Sequence, residues 1–409
     1  MRRSTLIHHH DAHLVPILPA ARSQTIQRPT PLPYCSPDTN LIMPHLLKSY
    51  ETLMTTQPLF AVLLCAMLAT TPALAEQLLC VSASTDKQLV LYDVDLPSGA
   101  LKLRNKIALK GSPGSQCISP DGNRLYVSIR SLDSVAVFKI HHKQRNLEHL
   151  GTTNITANAA YISLDRTGKT LLWASYSSGV VGSYRIQSNG QLGSAISRIP
   201  TARCAHAILT DPSNQYVFAP HTGPNAVYQF HFSPADGKLT PNQPAFVRPA
   251  DGLEPRHLAF HPTLPVVYCD DEAGASVTAY HFNRETGTLD PFQTVTTLPP
   301  DFSGNNSCAD IEITSDGRFV YASNRGHNSV AGFAVDLESG KLTAIGQAPT
   351  GDTPRSFNLS PDGTLLVAAG QASHDLHSYR RDSNSGKLTR GSQLPTGKGP
   401  AWVQFITLR

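Results

Sequence analysis

Six stretches of the chain share one order of polar and apolar positions and align without gaps over about twenty residues. They are SPDGNRLYVSIRSLDSVAVFKI (119–140), DRTGKTLLWASYSSGVVGSYRI (165–186), DPSNQYVFAPHTGPNAVYQFHF (211–232), HPTLPVVYCDDEAGASVTAYHF (261–282), TSDGRFVYASNRGHNSVAGFAV (314–335) and SPDGTLLVAAGQASHDLHSYRR (360–381). Each opens on a turn, often Asp-Gly, and continues as strand, short loop and strand. The strands are rich in Val, Tyr and Phe, which suit a pleated, half-buried surface. A second marker follows each unit, a turn ending in leucine: SGAL, QRNL, NGQL, DGKL, TGTL, SGKL and SGKL. Its leucines, Leu101, Leu147, Leu192, Leu239, Leu289, Leu342 and Leu388, stand 46, 45, 47, 50, 53 and 46 residues apart. A further apolar strand precedes each repeat turn, as at Arg256–Phe260 and Arg355–Leu359.

Four strands per unit of this length describe a β-propeller blade, and seven leucines predict seven blades. The two ends are complementary. The repeat region begins with half a blade, LLCVSASTDKQLVLYDVD (78–95), and the chain ends on a lone strand, PAWVQFITL (400–408). Pairing the last strand into the first blade would leave no open edge. The fold class predicted is therefore all-β, a seven-bladed propeller of four-stranded blades closed by the C-terminal strand.

The first 75 residues do not share this pattern. Residues 14–44 carry many prolines and no period, and residues 1–53 read as an N-terminal extension or an overextended start, with Met43 and Met54 as alternative first residues. Residues 54–75 read as a signal peptide: an apolar run, LFAVLLCAMLA (59–69), precedes Ala73-Leu74-Ala75, so cleavage is expected after Ala75. The run is too short to span a membrane. Residues 76–409 form the propeller, about 48 residues per blade. Export would put the protein in the periplasm or outside the cell, with no membrane contact once the leader is removed. There the five cysteines beyond the leader, Cys80, Cys117, Cys204, Cys269 and Cys308, could form one or two disulfides, with at least one thiol left over.

The formal net charge is +4, and 16% of residues are charged, against a usual ~25%. That balance excludes a nucleic-acid partner. No C-x-x-C, H-E-x-x-H or G-x-S-x-G motif occurs, so neither a metal nor another cofactor is expected. The repeats can then be compared slot by slot, because functional residues should differ where structural ones recur. The reference is the turn position Pro120, Arg166, Pro212, Pro262, Ser315 and Pro361. Six residues before it, at the start of the innermost strand, stand Gly114, Ala160, His206, Arg256, Ala309 and Arg355. Ten residues after it, in the middle loop, stand Arg130, Tyr176, Thr222, Glu272, Arg325 and Gln371.

Both sets should ring one mouth of the central channel. They bring together His206, Glu272, Arg130, Arg256, Arg325, Arg355, Tyr176 and Gln371. Arginine forks bind carboxylate or phosphate in bidentate fashion, and His206 can move a proton near neutral pH. Glu272 can act as a second base, or orient His206 or an arginine. A strained ester such as a lactone could open by attack of an activated water, with arginine on the oxyanion. His206, Glu272, Arg256 and Arg325 are the catalytic candidates; Arg130, Tyr176, Arg355 and Gln371 are the substrate-binding ones. By strand alternation or loop offset, His257, His261, His327 and His374 are expected to be packing or rim.

The same residues carry a family resemblance. Glu254-Pro255-Arg256-His257-Leu258-Ala259-Phe260-His261-Pro262 resembles the G-P-R-H-x-x-F-H-P run of the bacterial seven-bladed lactonases. Asp271-Glu272 falls at their N-E, and Ala309-Asp310-Ile311 with Ser315-Asp316-Gly317-Arg318 is similar to A-D-I-x-I-x-x-D-G-R. Asn324-Arg325, Pro354-Arg355, Ala368-Ala369-Gly370-Gln371 and Gly399-Pro400-x-Trp402-Val403 match further family motifs. Where some members have Asp-Arg, this chain has Asn225-Ala226. The resemblance covers about 76–409 and implies metal-free hydrolysis of 6-phosphogluconolactone, or, as in muconate-lactonizing relatives, a cycloisomerase activity. In those relatives the proposed site corresponds to His206, Arg256, Glu272 and Arg325 here. An exported enzyme would instead meet unphosphorylated aldonolactones. The expectation is a monomeric lactonase acting on a small lactone or sugar-acid substrate; a non-catalytic binding propeller is the alternative.

Overall fold

The computed structural model describes residues 76–409; the expected extension, signal peptide and cleavage point lie outside the described residues. Among the described residues there are 28 strands, β1 to β28 in chain order, in seven four-stranded antiparallel sheets. One 3₁₀ turn, Arg130–Leu132, is the only helical element among them, and no helix is long and apolar enough to cross a membrane.

The first sheet runs in the order β28 (Pro400–Thr407), β1 (Gln77–Ala83), β2 (Gln88–Asp95), β3 (Ala100–Ala108). The last strand therefore closes the first blade as its innermost member, with Val81 opposite Val403 and Leu79 opposite Phe405. The hydrophobic core is not central. It divides into seven clusters, each shared by two neighbouring blades, and the cluster between the last and first blades contains Leu79, Val81, Leu365, Val367, Val403 and Phe405. Both faces of each sheet are thus covered, so the second strands read as continuous apolar runs, as in Thr170–Ser175 and Leu365–Gly370.

The recurrent turn signatures have structural causes. The residue before each repeat turn caps it. Asp211 accepts the backbone N–H of Ser213, Gln215 and Tyr216, and His261 does the same for Thr263 and Leu264 through Nδ1. His261 is thus a turn cap at the far end of its strand. The leucine-marked turns place glycine in the left-handed region. Gly340 has φ +72°, and a Cβ there would meet Val266 of the neighbouring blade at 2.7 Å. Its carbonyl accepts the buried Tyr268 hydroxyl at 2.8 Å, and Tyr126 joins Gly190 across the corresponding blade boundary at 2.9 Å.

The innermost strands are not regular. In β16 (Pro255–Phe260), Pro255 pairs with Asp271 and His257 with Asp270 of β17 (Val266–Asp271), so Arg256 is an extra, unpaired residue. This is a β-bulge. Ala160, Arg355 and Ala401 are extra residues of the same kind, and the register also shifts at Gly114-Ser115 and at Ala309-Asp310. The fourth blade departs further. Its innermost strand is only Leu209–Thr210, preceded by a single bridge between Ala205 and His221, and Cys204 has φ +65°. His206 lies in this irregular stretch rather than at the start of a regular strand. All five described cysteines are unpaired.

Ring closure should dominate stability. Phe405→Ala, in the last-to-first cluster, should cost about 3–5 kcal/mol while leaving one cooperative urea transition. Removal of 400–409 should abolish that transition, because both neighbours of the closing strand lose their partner. A truncated chain unfolding with an unchanged midpoint would refute the dependence on closure.

Candidate active site

The bulge residues form one ring at the mouth of the channel, and the residues that end the second strands form another beside it. Glu272 immediately follows β17, and Arg325, Tyr176 and Gln371 each immediately follow the second strand of their own blade. One backbone hydrogen bond recurs between the rings. The N–H of Arg130, Glu272, Arg325 and Gln371 donates to the carbonyl of Ser112, Glu254, Ser307 and Thr353, each two residues before its bulge position, at 2.8–2.9 Å. Two residues distant in sequence are thereby held side by side in each of these blades.

A cavity of about 270 Å³ opens there. Arg130, His206, Arg256, Arg355 and Gln371 line it, and Trp402 and Ala401 of β28 complete its wall. Glu272, Arg325 and Tyr176 are not among its lining residues; Glu272 is in contact with Arg256, and Tyr176 with His206. The Glu272 carboxylate is clamped between two guanidinium groups. Its Oε1 accepts a hydrogen bond from Arg325 Nη2 at 2.6 Å, and its Oε2 lies 3.3 Å from Arg256 Nε in an ion pair without hydrogen-bond alignment. Arg325 Nη2 also donates to the Cys308 carbonyl at 2.9 Å. Glu272 thus orients the arginines. Its carboxylate makes no contact with His206, and of the roles open to it, support of the imidazole is not the one seen.

Arg256 is 1% exposed. Burial, then the neighbouring Arg325, lower its pKa, against the pull of Asp270 and Glu272. Glu272 is pushed up by burial and pulled down further by Arg256 and Arg325, so it stays below the ordinary carboxylate range. Arg355 has no hydrogen bond or ion pair among the described residues. Burial and the like charges of Arg256, Arg325 and Arg130 bring its pKa down to about 9, so it remains charged at neutral pH. Arg130 is tied only to the Asn158 side-chain oxygen, at 2.9 Å. Two of the four guanidinium groups are therefore balanced by a carboxylate in contact, and two are not.

His206 is buried, with no partner at Nδ1. Burial, then Arg256, His257 and Arg355, hold its pKa well below the ordinary imidazole value. Its ring sits edge-on to Tyr176 at 5.5 Å and to His257 at 5.1 Å. Tyr176 is 38% exposed, with the Cys204 thiol and Thr222 hydroxyl beside its phenol.

His257 was expected to be packing or rim, and the structure corrects this: it lines the cavity next to Arg256. Strand alternation would turn it away, but the extra residue at Arg256 breaks the alternation. Its Nδ1 meets Asp310 Oδ1 at 2.9 Å and its Nε2 meets Arg256 Nη1 at 3.2 Å. Its position directly after the bulge slot is the signal that could have identified it, as it could Trp402 after Ala401. His327, bonded to Ser329 and edge-on to Phe302, does not line the cavity.

Comparison with known proteins gives a consistent picture. The family described as "Lactonase, 7-bladed beta-propeller" matches residues 78–405. The 6-phosphogluconolactonase of Cronobacter sakazakii is 32% identical over 263 residues, 64% of this chain and 78% of that protein. That of Yersinia pseudotuberculosis serotype O:3 is 32% identical over 284 residues, 69% of this chain and 84% of its own length. Among solved structures, the periplasmic gluconolactonase PpgL of Pseudomonas aeruginosa superposes with a TM-score of 0.76 at 25% identity, over 82% of this chain and 99% of that one.

Removing Glu272 leaves Arg256 and Arg325 uncompensated. Glu272→Ala should destabilise the fold by about 3 kcal/mol in chemical denaturation, at the low end for a buried pair because the carboxylate is part-exposed. An unchanged midpoint would mean that the arginines are held without it.

Proposed function

From the premise that the chain belongs to the seven-bladed β-propeller lactonase family, we propose that it hydrolyses an acidic sugar lactone of the 6-phospho-D-glucono-1,5-lactone type. One observation carries the reading: three guanidinium groups, those of Arg130, Arg256 and Arg355, line a single cavity, and a fourth, that of Arg325, is joined to Arg256 through the one carboxylate of Glu272. Such a site is electropositive and favours an anionic ligand. The relatives named as 6-phosphogluconolactonases and the gluconolactonase neighbour support a sugar-lactone substrate.

In this reading Arg256 and Arg325, held by Glu272, face the lactone carbonyl and the oxyanion that develops from it. Neutral His206 accepts a proton from water as the water oxygen bonds to the carbonyl carbon. The carbon–ring-oxygen bond then breaks, and the proton on His206 passes to the departing alkoxide. Arg355 and Arg130, with no carboxylate in contact, take the substrate's own anionic group, while Gln371 and Tyr176 contact its hydroxyls. An anion bound there offsets the cations that depress His206, so the base strengthens when substrate is present. We place this activity outside the cytosol, where the lactone would be unphosphorylated and its anionic group a carboxylate. The apolar run ending at Ala75 and the description of PpgL as periplasmic support that location, and N-terminal sequencing of the mature protein tests it, with Glu76 expected first.

Wild-type protein should open 6-phosphogluconolactone or gluconolactone faster than each opens spontaneously, and Glu272→Gln should lower kcat/KM by about 10²-fold. Rates equal to the spontaneous ones on every lactone tried would overturn the hydrolytic reading. Saturable binding without turnover would favour a binding module, and isotope exchange at a substrate carbon a cycloisomerase.

The pH dependence has a definite sign. kcat/KM should hold steady through neutral pH and fall only below the ordinary imidazole range, as His206 of the free enzyme becomes protonated. Arg355→Gln removes one depressing charge, so His206 should rise and the acid limb should move toward neutral pH. A limb unmoved by that substitution would remove His206 from the role.

A further inference from the structure

His257 and Asp310 lie outside the roles assigned above, yet they complete a continuous buried chain with them. Asp310 is 6% exposed and His257 4%. Asp310 Oδ1 accepts the N–H of Ile311 at 3.1 Å, and Oδ2 accepts that of Phe357, from the next blade, at 3.2 Å. The carboxylate is thus fixed from two blades before it meets His257 Nδ1 at 2.9 Å.

The tautomer follows from the partners. A guanidinium group only donates, so His257 Nε2, 3.2 Å from Arg256 Nη1, must present its lone pair. A neutral imidazole then carries its single proton on Nδ1, where Asp310 accepts it. Both ends of the ring demand the same tautomer. The ring cannot pivot freely, because Tyr161 lies edge-on at 5.1 Å and Trp402 at 6.1 Å. Arg256 is consequently held at two points, Nη1 by His257 and Nε beside Glu272, and its Nη2 has no hydrogen-bond partner among the described residues.

We propose that His257, oriented by Asp310, is a positioning residue that sets the direction in which Arg256 presents its guanidinium to the cavity. It acts through Arg256 and does not take the proton of the attacking water, since its free lone pair is already engaged. This rests on the lactonase reading for its kinetic consequence, although the tautomer itself does not.

Three variants and one spectrum test it. His257→Phe removes the acceptor and should lower kcat by about 10²-fold, with KM little changed, as expected when a transition-state donor is misplaced. His257→Gln keeps an acceptor for Arg256 but cannot take up a proton as a base, and should recover most of the loss. The double variant Arg256→Gln/His257→Phe should be no slower than Arg256→Gln alone. In the wild type, ¹⁵N-histidine NMR should show His257 neutral with its proton on Nδ1, a result that needs no variant and no turnover. A proton on Nε2, a Gln variant as slow as the Phe variant, or additive losses in the double variant would each overturn the proposal. A wild type that opened no lactone would sink the hydrolytic reading, and the tautomer would then decide this one by itself.

Discussion

The pairing of β28 with β1 is the constraint on which the rest of the molecule depends. A bare apolar sheet face is a liability, and seven blades in a row would leave one at each end. Closure covers both faces at once. It also sets where the apolar residues go, because each of the seven core clusters needs two neighbouring blades, including the pair that joins the last blade to the first. The channel and its mouth exist only because the innermost strands are forced to converge.

At that mouth the fold makes a controlled exception to its own regularity. A one-residue bulge turns successive side chains toward the same side, which a regular strand cannot do. That is how Arg256 and His257 come to share a cavity wall, and how Arg355 and Ala401 reach it from other blades. The recurrent backbone hydrogen bond then brings the loop residues alongside. The result is a cluster of buried charge in a chain whose charged fraction is low. Arg256 and Arg325 are compensated by Glu272, whereas Arg355 and Arg130 face the cavity with no carboxylate in contact. A buried ion pair adds little to stability in itself, but it fixes direction, and direction is what a catalytic donor requires.

The architecture was legible because its markers are obligatory. A side chain at Gly340 would clash with the neighbouring blade, six of the seven marker turns carry glycine at that position, and the leucine that follows packs into the cluster between blades, so the repeat is visible in the sequence. The two rings were legible for a related reason: the repeats align without gaps, and equal slots fall at equal heights. What failed was the assumption of strand alternation. It turned His257 outward, because a bulge leaves no mark in the hydrophobic pattern of a strand buried on both faces. It also gave the fourth blade a regular innermost strand, which the left-handed Cys204 and the single Ala205–His221 bridge replace. The Asp310–His257 contact joins residues 53 apart, and its chemistry resides in a pairing that no local motif announces.

Trp402 gives the closing strand a second meaning. Its indole and Ala401 form part of the cavity wall, and they belong to β28, which follows every other described strand along the chain. A nascent chain can assemble blades two to seven as it emerges, but it has neither a finished ring nor a finished cavity until β28 is free. Emergence of β28 and completion of the site are therefore one event. A copy terminated before β28 cannot be a weakened version of the protein; it lacks part of the wall against which a ligand would sit. Chemistry has to wait for the ring to close.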